Sequence, residues 1–134
     1  MTQTDAPSLW ERFGGDPVFA PLLADFYARV AASPIRPLFP EDFAETLQKQ
    51  FAFQSEFWGG PARYSPWRGH PRLRARHLPF TIGMPEATAW LACMEAAVAA
   101  SAMSEAMRPM FLERMRAIAM AMINQPVGDP PRDT

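Results

Sequence analysis

The chain has 134 residues, 49% of them in the apolar set and 20% charged, with a formal net charge of −1. This composition excludes global disorder and supplies no electrostatic footprint for nucleic acid or an anionic membrane. A single cysteine, Cys93, excludes an internal disulfide framework, and the length suits one domain with its own core.

Residues 1–7 are polar, with no basic segment leading into an apolar one, and the lone cysteine suits a reducing compartment. The expectation is a cytoplasmic protein without a signal peptide. Residues 1–7 and the Pro-rich 125–134 are expected to be flexible tails around one domain at 8–124. Ser8-Leu9-Trp10-Glu11 has the spacing of a capping box, and Gly14-Gly15 stops the short helix that it opens. Asp16, as N-cap, and Pro17, at the first helical position, are expected to start the next one. There Phe19, Leu22, Leu23, Phe26, Tyr27 and Val30 recur at helical spacing on one apolar face. Ser33-Pro34 opens a short turn that closes near Phe39-Pro40.

A helix is predicted over about 41–58, ended by Gly59-Gly60-Pro61. One line along it carries Thr46, Gln50, Phe53 and Phe57, so polar and aromatic side chains share a stripe and the amide needs a partner. Residues 59–72 read as a long loop. A short helix over 71–77 should end before Pro79, with Leu73, His77 and Phe80 inward and Arg72 and Arg76 on a flank. Pro85 opens a long helix to about Ser101, with Trp90, Leu91, Met94, Ala97 and Val98 inward. The last helix starts between Ser104 and Pro109 and runs to Asn124, lined by Met107, Phe111, Met115, Ile118 and Met122. No stretch alternates with period two, so the fold class is all-α. The longest weakly charged run, 87–103, carries Glu95 and falls short of a membrane span.

Ten Phe, nine Met and four Trp suit either a dense core or an apolar cavity. His77, on the side of its helix that carries Leu73 and Phe80, offers a ring nitrogen to a metal or, as position alone favours, bonds a backbone carbonyl in the core. His70, between Gly69 and Pro71, reads as turn structure. Structural zinc wants four N/S ligands at short spacing, and Cys93 is far from both histidines. Arg68, Arg72, Arg74 and Arg76 form either an anion site or, by default, a solvated flank. Tyr27, Gln50 and Trp90 put polar tips on three apolar helix faces; they either find separate partners or converge on one small polar guest. Cys93 and the methionines read as core filling.

Several runs occur in an order that resembles a known family. They are Gly14-Gly15, Phe26-Tyr27-x-x-Val30, Leu38-Phe39-Pro40-Glu41-Asp42, Trp58-Gly59-Gly60-Pro61-x-x-Tyr64, Trp90-Leu91-x-x-Met94, and the block at 68–80 that contains Arg72-Leu73-Arg74-x-Arg76-His77. Over roughly 9–124 the chain resembles a group II truncated haemoglobin. The resemblance implies a two-over-two α-helical sandwich around haem b, with His77 as the proximal iron ligand of a five-coordinate iron. It makes Phe39 the aromatic on the porphyrin face, and Tyr27 and Trp90 the distal pair. Thr46 and Gln50 fall at the ligand-facing positions of the distal helix, where many members carry Ala and Leu. Arg76 and Lys49 match positions that pair with haem propionates, and Phe53, Tyr64, Leu73 and Phe80 complete the expected haem contacts.

On this reading Tyr27, Gln50 and Trp90 hydrogen-bond the bound ligand. Each donor to a charged oxygen is worth about 1.5–3 kcal/mol, and two slow O2 release by on the order of a hundredfold. The expected function is tight binding of O2, NO, CO, peroxide or sulfide, with redox or detoxifying chemistry such as nitric oxide dioxygenation or peroxidase-like turnover, rather than bulk oxygen transport. An unidentified reductase is the implied partner, and the protein is a monomer or homodimer. The competing readings are a cofactor-free helical interaction domain, and an O2 or redox sensor that acts through a partner protein with Cys93 as its switch.

Overall fold

The computed structural model describes residues 7–70, 72, 77 and 80–124. Residues 1–6 and 125–134 of the expected tails, most of the expected helix at 71–77, and the side chains of Leu73, Arg74 and Arg76 lie outside the described residues. Every regular element among the described residues is helical. None of these helices is long and apolar enough to cross a membrane.

The capping box at Ser8 forms: its hydroxyl accepts from the Glu11 N–H at 3.2 Å and its own N–H donates to Glu11 Oε1 at 3.1 Å. It opens α1 (Leu9–Phe13). The start of α2 (Gly15–Ala31) differs from the prediction, since Gly14 is its N-cap and no side chain caps it. Gly14 holds φ +123°, a left-handed turn that passes the chain directly from α1 into α2, and a Cβ there would lie 2.2 Å from Val18 Cγ2. Asp16 is thereby released from capping. Its carboxylate takes both Arg63 nitrogens at 3.0 Å, and that pairing holds its pKa below the usual value.

The turn after α2 contains a 3-10 segment, Arg36–Leu38. Its guanidinium donates to the carbonyls of Phe39, Pro40 and Glu41 at 3.3, 2.9 and 2.7 Å, and lies 4.4 Å from the centre of the Phe43 ring. With those carbonyls engaged, residues 41–43 stay non-helical, and α3 (Ala44–Phe57) starts later than its spacing suggests. Asp42 serves it by accepting from the Ala44 N–H at 2.9 Å.

The predicted loop at 59–72 contains a helical turn, α4 (Ser65–Arg68). Its N-terminal N–H groups, from Tyr64 and Ser65, donate to one Glu56 oxygen at 3.0 and 2.8 Å, and these bonds lower the Glu56 pKa. The long helix α5 (Met84–Ala99) follows Gly83, whose N–H donates to Glu86 Oε1 at 2.7 Å. The last helix, α6 (Arg108–Ala121), ends before Asn124. Asn124 instead folds back: its amide nitrogen donates to the Phe80 carbonyl at 2.7 Å and the His77 carbonyl at 3.4 Å, and its amide oxygen accepts from the Ile82 N–H at 3.0 Å.

Helix α2 packs on α5 and α3, and α5 packs on α6. The predicted inward face of α2 is buried along its whole length, from Phe19 to Val30. On α5, Met94, Ala97 and Val98 are buried as expected, joined by Ala87 and Cys93, while Trp90 and Leu91 are only half-buried. An aromatic cluster joins the ends of the bundle. Trp10 stacks on Phe19 at 4.2 Å, and Phe13 meets Trp58 and Phe111 edge-on at 4.7 and 5.4 Å.

Gly14→Ala combines a disallowed backbone angle with a clash on Val18. It should lower the unfolding free energy by about 1–3 kcal/mol, read as a shift of the urea midpoint at constant slope.

Candidate functional site

A cavity of about 410 Å³ is walled by side chains of α2, α3, α5 and α6 and of the segment at 77–82. Most of its lining is aromatic or aliphatic. Tyr27, Phe39, Thr46, Lys49, Gln50, Phe53, Tyr64, His77, Phe80 and Trp90 all border it. The structure therefore brings every described residue of the sequence-predicted site to one cavity, while Leu73 and Arg76 lie outside the described residues.

Three of the lining segments are irregular, and each is held by one polar side chain described above. Arg36 fixes the backbone that carries Phe39, Glu56 fixes the start of α4 beside Tyr64, and Asn124 fixes the carbonyls of His77 and Phe80. His77 is half-buried, its ring 6.5 Å from that of Phe80. Phe80 differs from the expected inward placement: it is 44% exposed, at the edge of the cavity. Phe57, expected on the same stripe as Gln50, is 38% exposed and stacks on Phe53 at 5.2 Å instead of lining the cavity. Phe57 shares the helical angle of that stripe but is the last residue of α3, past the stretch of that helix that walls the cavity.

The polar part of the wall is a line of hydrogen bonds. Trp58 Nε1 donates to Gln54 Oε1 at 2.6 Å. Gln54 Nε2 donates to Gln50 Oε1 at 3.0 Å and meets Met115 Sδ at 3.5 Å. Gln50 Nε2 donates to Tyr27 Oη at 3.4 Å. Burial pushes the Tyr27 phenol up to about 12, with the Gln50 bond acting in the opposite direction. Trp90 packs edge-on against Phe26 at 5.3 Å, and no hydrogen bond from its indole is found among the described residues.

The other candidates sit elsewhere. Cys93 is buried in the main core, and burial raises its thiol pKa, which works against a thiolate switch. His70 Nδ1 accepts from the Arg72 N–H at 3.1 Å, a turn contact. Arg68 pairs with Glu45 at 3.5 Å and lies 5.3 Å from the centre of the Trp67 ring.

Sequence reasoning missed Gln54, which borders the cavity at 1% exposure. The signal was the four-residue step from Gln50 to Gln54 to Trp58, which keeps all three on one helix face. It also missed Ile35, Ile82, Glu86, Ala87 and Ala119 as lining residues, while Met115, Ile118 and Met122 were read only as the inner face of a helix.

Residues 8–124 match the bacterial-like globin family. The chain is 41% identical over 112 residues to a group 2 truncated haemoglobin of Bacillus subtilis (strain 168), covering 83% of this chain and 85% of that protein. The crystal structure of the group II truncated haemoglobin from Bacillus anthracis superposes with a TM-score of 0.88 at 38% identity, over 93% of this chain and 98% of that one. The structure of the truncated oxygen-avid haemoglobin from Bacillus subtilis gives 0.81 at 38% identity, over 88% and 100%. The architecture is thus the two-over-two helical globin fold.

Because the raised Tyr27 value favours the neutral phenol in the folded state, that contribution to stability is complete below the usual value of 10 and is lost as pH rises towards 12. An ultraviolet tyrosinate titration should show a step near pH 12 that is absent in Tyr27→Phe.

Proposed function

Because the chain belongs to the bacterial-like globins and, among them, to the group II truncated haemoglobins, we propose that its cavity takes haem b on His77 and retains O2 and similar small ligands tightly. The observation that carries this reading is the meeting of one imidazole and the three polar tips of Tyr27, Gln50 and Trp90 at a single, mostly apolar cavity.

The residues present fit the group. A volume of about 410 Å³ lies within the range of about 300–1,000 Å³ expected of a cofactor-sized site. His77, which borders the cavity, would hold the group through its imidazole. Phe39, Phe53, Tyr64 and Phe80 would serve as its apolar contacts and Lys49 would pair with a carboxylate of the group; the family resemblance assigns Leu73 and Arg76, which lie outside the described residues, to the same two roles. When bound, haem supplies an iron that takes small diatomic ligands and exchanges single electrons.

The chain contributes orientation, exclusion of water and placed protons. Tyr27 keeps its proton on Oη across the physiological range, because its pKa is pushed up to about 12. It therefore enters the cavity as a neutral donor. Trp90 Nε1 is a donor only, and Gln50 adds an amide. Donors aimed at a ligand oxygen that gains negative charge act as an oxyanion hole does, and they slow ligand escape. The related protein of Bacillus subtilis described as oxygen-avid supports this reading. A protein that holds its ligand serves reaction better than delivery, so we place its chemistry in nitric oxide or peroxide handling, with electrons from a separate reductase.

The purified protein should show a Soret band that His77→Ala loses or shifts; a wild-type protein that takes up no haem would overturn the proposal. Tyr27→Phe and Trp90→Phe should each raise the O2 dissociation rate roughly tenfold or more, measured by rapid mixing with CO, and unchanged rates in both would remove the donor network.

A further inference from the structure

The polar wall of the cavity has a direction, and that direction is set from behind. We infer that Trp58, acting through Gln54 and Gln50, holds Tyr27 as an obligate hydrogen donor towards the occupant of the cavity, which makes Trp58 and Gln54 positioning residues for ligand retention. The inference deepens the ligand-retention reading above and rests on it.

The argument begins with what an indole can do. Trp58 Nε1–H donates and cannot accept. The Gln54 atom 2.6 Å away must therefore be its carbonyl oxygen. The rest of that amide, its nitrogen, then faces Gln50 and Met115. A sulfur can only accept at this position, which agrees with the same orientation. Since Gln54 presents hydrogens, the Gln50 atom 3.0 Å away must be its oxygen. Gln50 therefore turns its nitrogen to Tyr27, 3.4 Å away. A tyrosine oxygen that accepts from Gln50 has one hydrogen left, and that hydrogen is available to the cavity that Tyr27 borders. With the opposite polarity Gln50 would offer its carbonyl, and Tyr27 would spend its proton on it.

The anchor of this line is rigid. Trp58 is buried, and its ring is held by Phe13 and Phe57 edge-on at 4.7 and 4.9 Å and by Phe111 at 5.6 Å. It does not itself line the cavity. Gln54 is 1% exposed, so either amide orientation must be fully bonded, and only one satisfies Trp58. The line thus transmits a proton polarity across two turns of α3 without any charge.

The test uses the ferrous CO-bound protein, which is diamagnetic, and the variants Trp58→Phe, Gln54→Met and Trp58→Phe/Gln54→Met. The double variant replaces a bonded pair by apolar groups of similar shape, which folding tolerates. In the wild type, nuclear Overhauser contacts should join the Gln50 side-chain N–H protons to the Tyr27 ring; in the variants they should weaken. The C–O stretching band of bound CO should gain a second component at the position seen in Tyr27→Phe, and the O2 dissociation rate should rise roughly three- to tenfold. In a Tyr27→Phe background the same substitutions should change the rate no further, an outcome that a merely structural role would not produce. Unaltered Gln50–Tyr27 contacts and a single unshifted C–O band in a folded double variant would overturn the inference. Failure of the wild type to take up haem would instead sink the parent reading, and the Gln50–Tyr27 contacts measured in that haem-free protein would still decide the polarity.

Discussion

A primary amide sealed in a protein interior must bond at both ends, and Gln54 meets that demand between Trp58 and Gln50. Its position ties three parts of the molecule together. Trp58 belongs to the aromatic cluster of α1, α2 and α6, Met115 belongs to α6, and Gln50 reaches Tyr27 on α2. An apolar side chain at this site would pack as well, but it would leave the Trp58 indole unpaired in the core and Gln50 free to turn. The cost of unpaired polar groups thus fixes both the seating of α3 and the chemistry of the wall it presents.

The same economy governs the irregular segments around the cavity. Loop backbone carries donors and acceptors that no helix satisfies. Arg36 gathers three successive carbonyls, Glu56 accepts two N–H groups, and Asn124 spans the carbonyls of His77 and Phe80 and the Ile82 N–H. Together they hold Phe39, Tyr64 and His77 at the cavity while leaving the space between the helices unfilled. Regular helices supply the frame, and single polar side chains aim the loops.

Much of this was legible in the residues. The apolar spacing on α2, the Ser8–Glu11 box, and the two long C-terminal helices follow from short-range rules that need no tertiary contact. So does the suspicion about Gln50, an amide on an aromatic stripe. The errors have two causes. The start of α3 and the turn at Ser65 depend on the side chains of Arg36 and Glu56 engaging backbone that a propensity reading leaves unassigned, and the cap of α2 depends on the left-handed backbone of Gly14. Phe57 and Phe80 were placed by helical period, which locates a face but not where that face leaves the interior.

The order of residue types along the chain thus determined the helical class, the main buried face of α2 and ten of the residues that line the cavity, because periodicity and capping are local, and because the runs from Phe26 to Trp90 carry a family's pattern. Only the folded molecule decided that Tyr27, Gln50 and Trp90 share one cavity with His77, and that Gln54 stands behind them. Convergence depends on how helices cross, and the direction of a hydrogen-bonded line depends on which donor anchors its far end. Both are settled by contacts between residues distant in sequence, which no local pattern encodes.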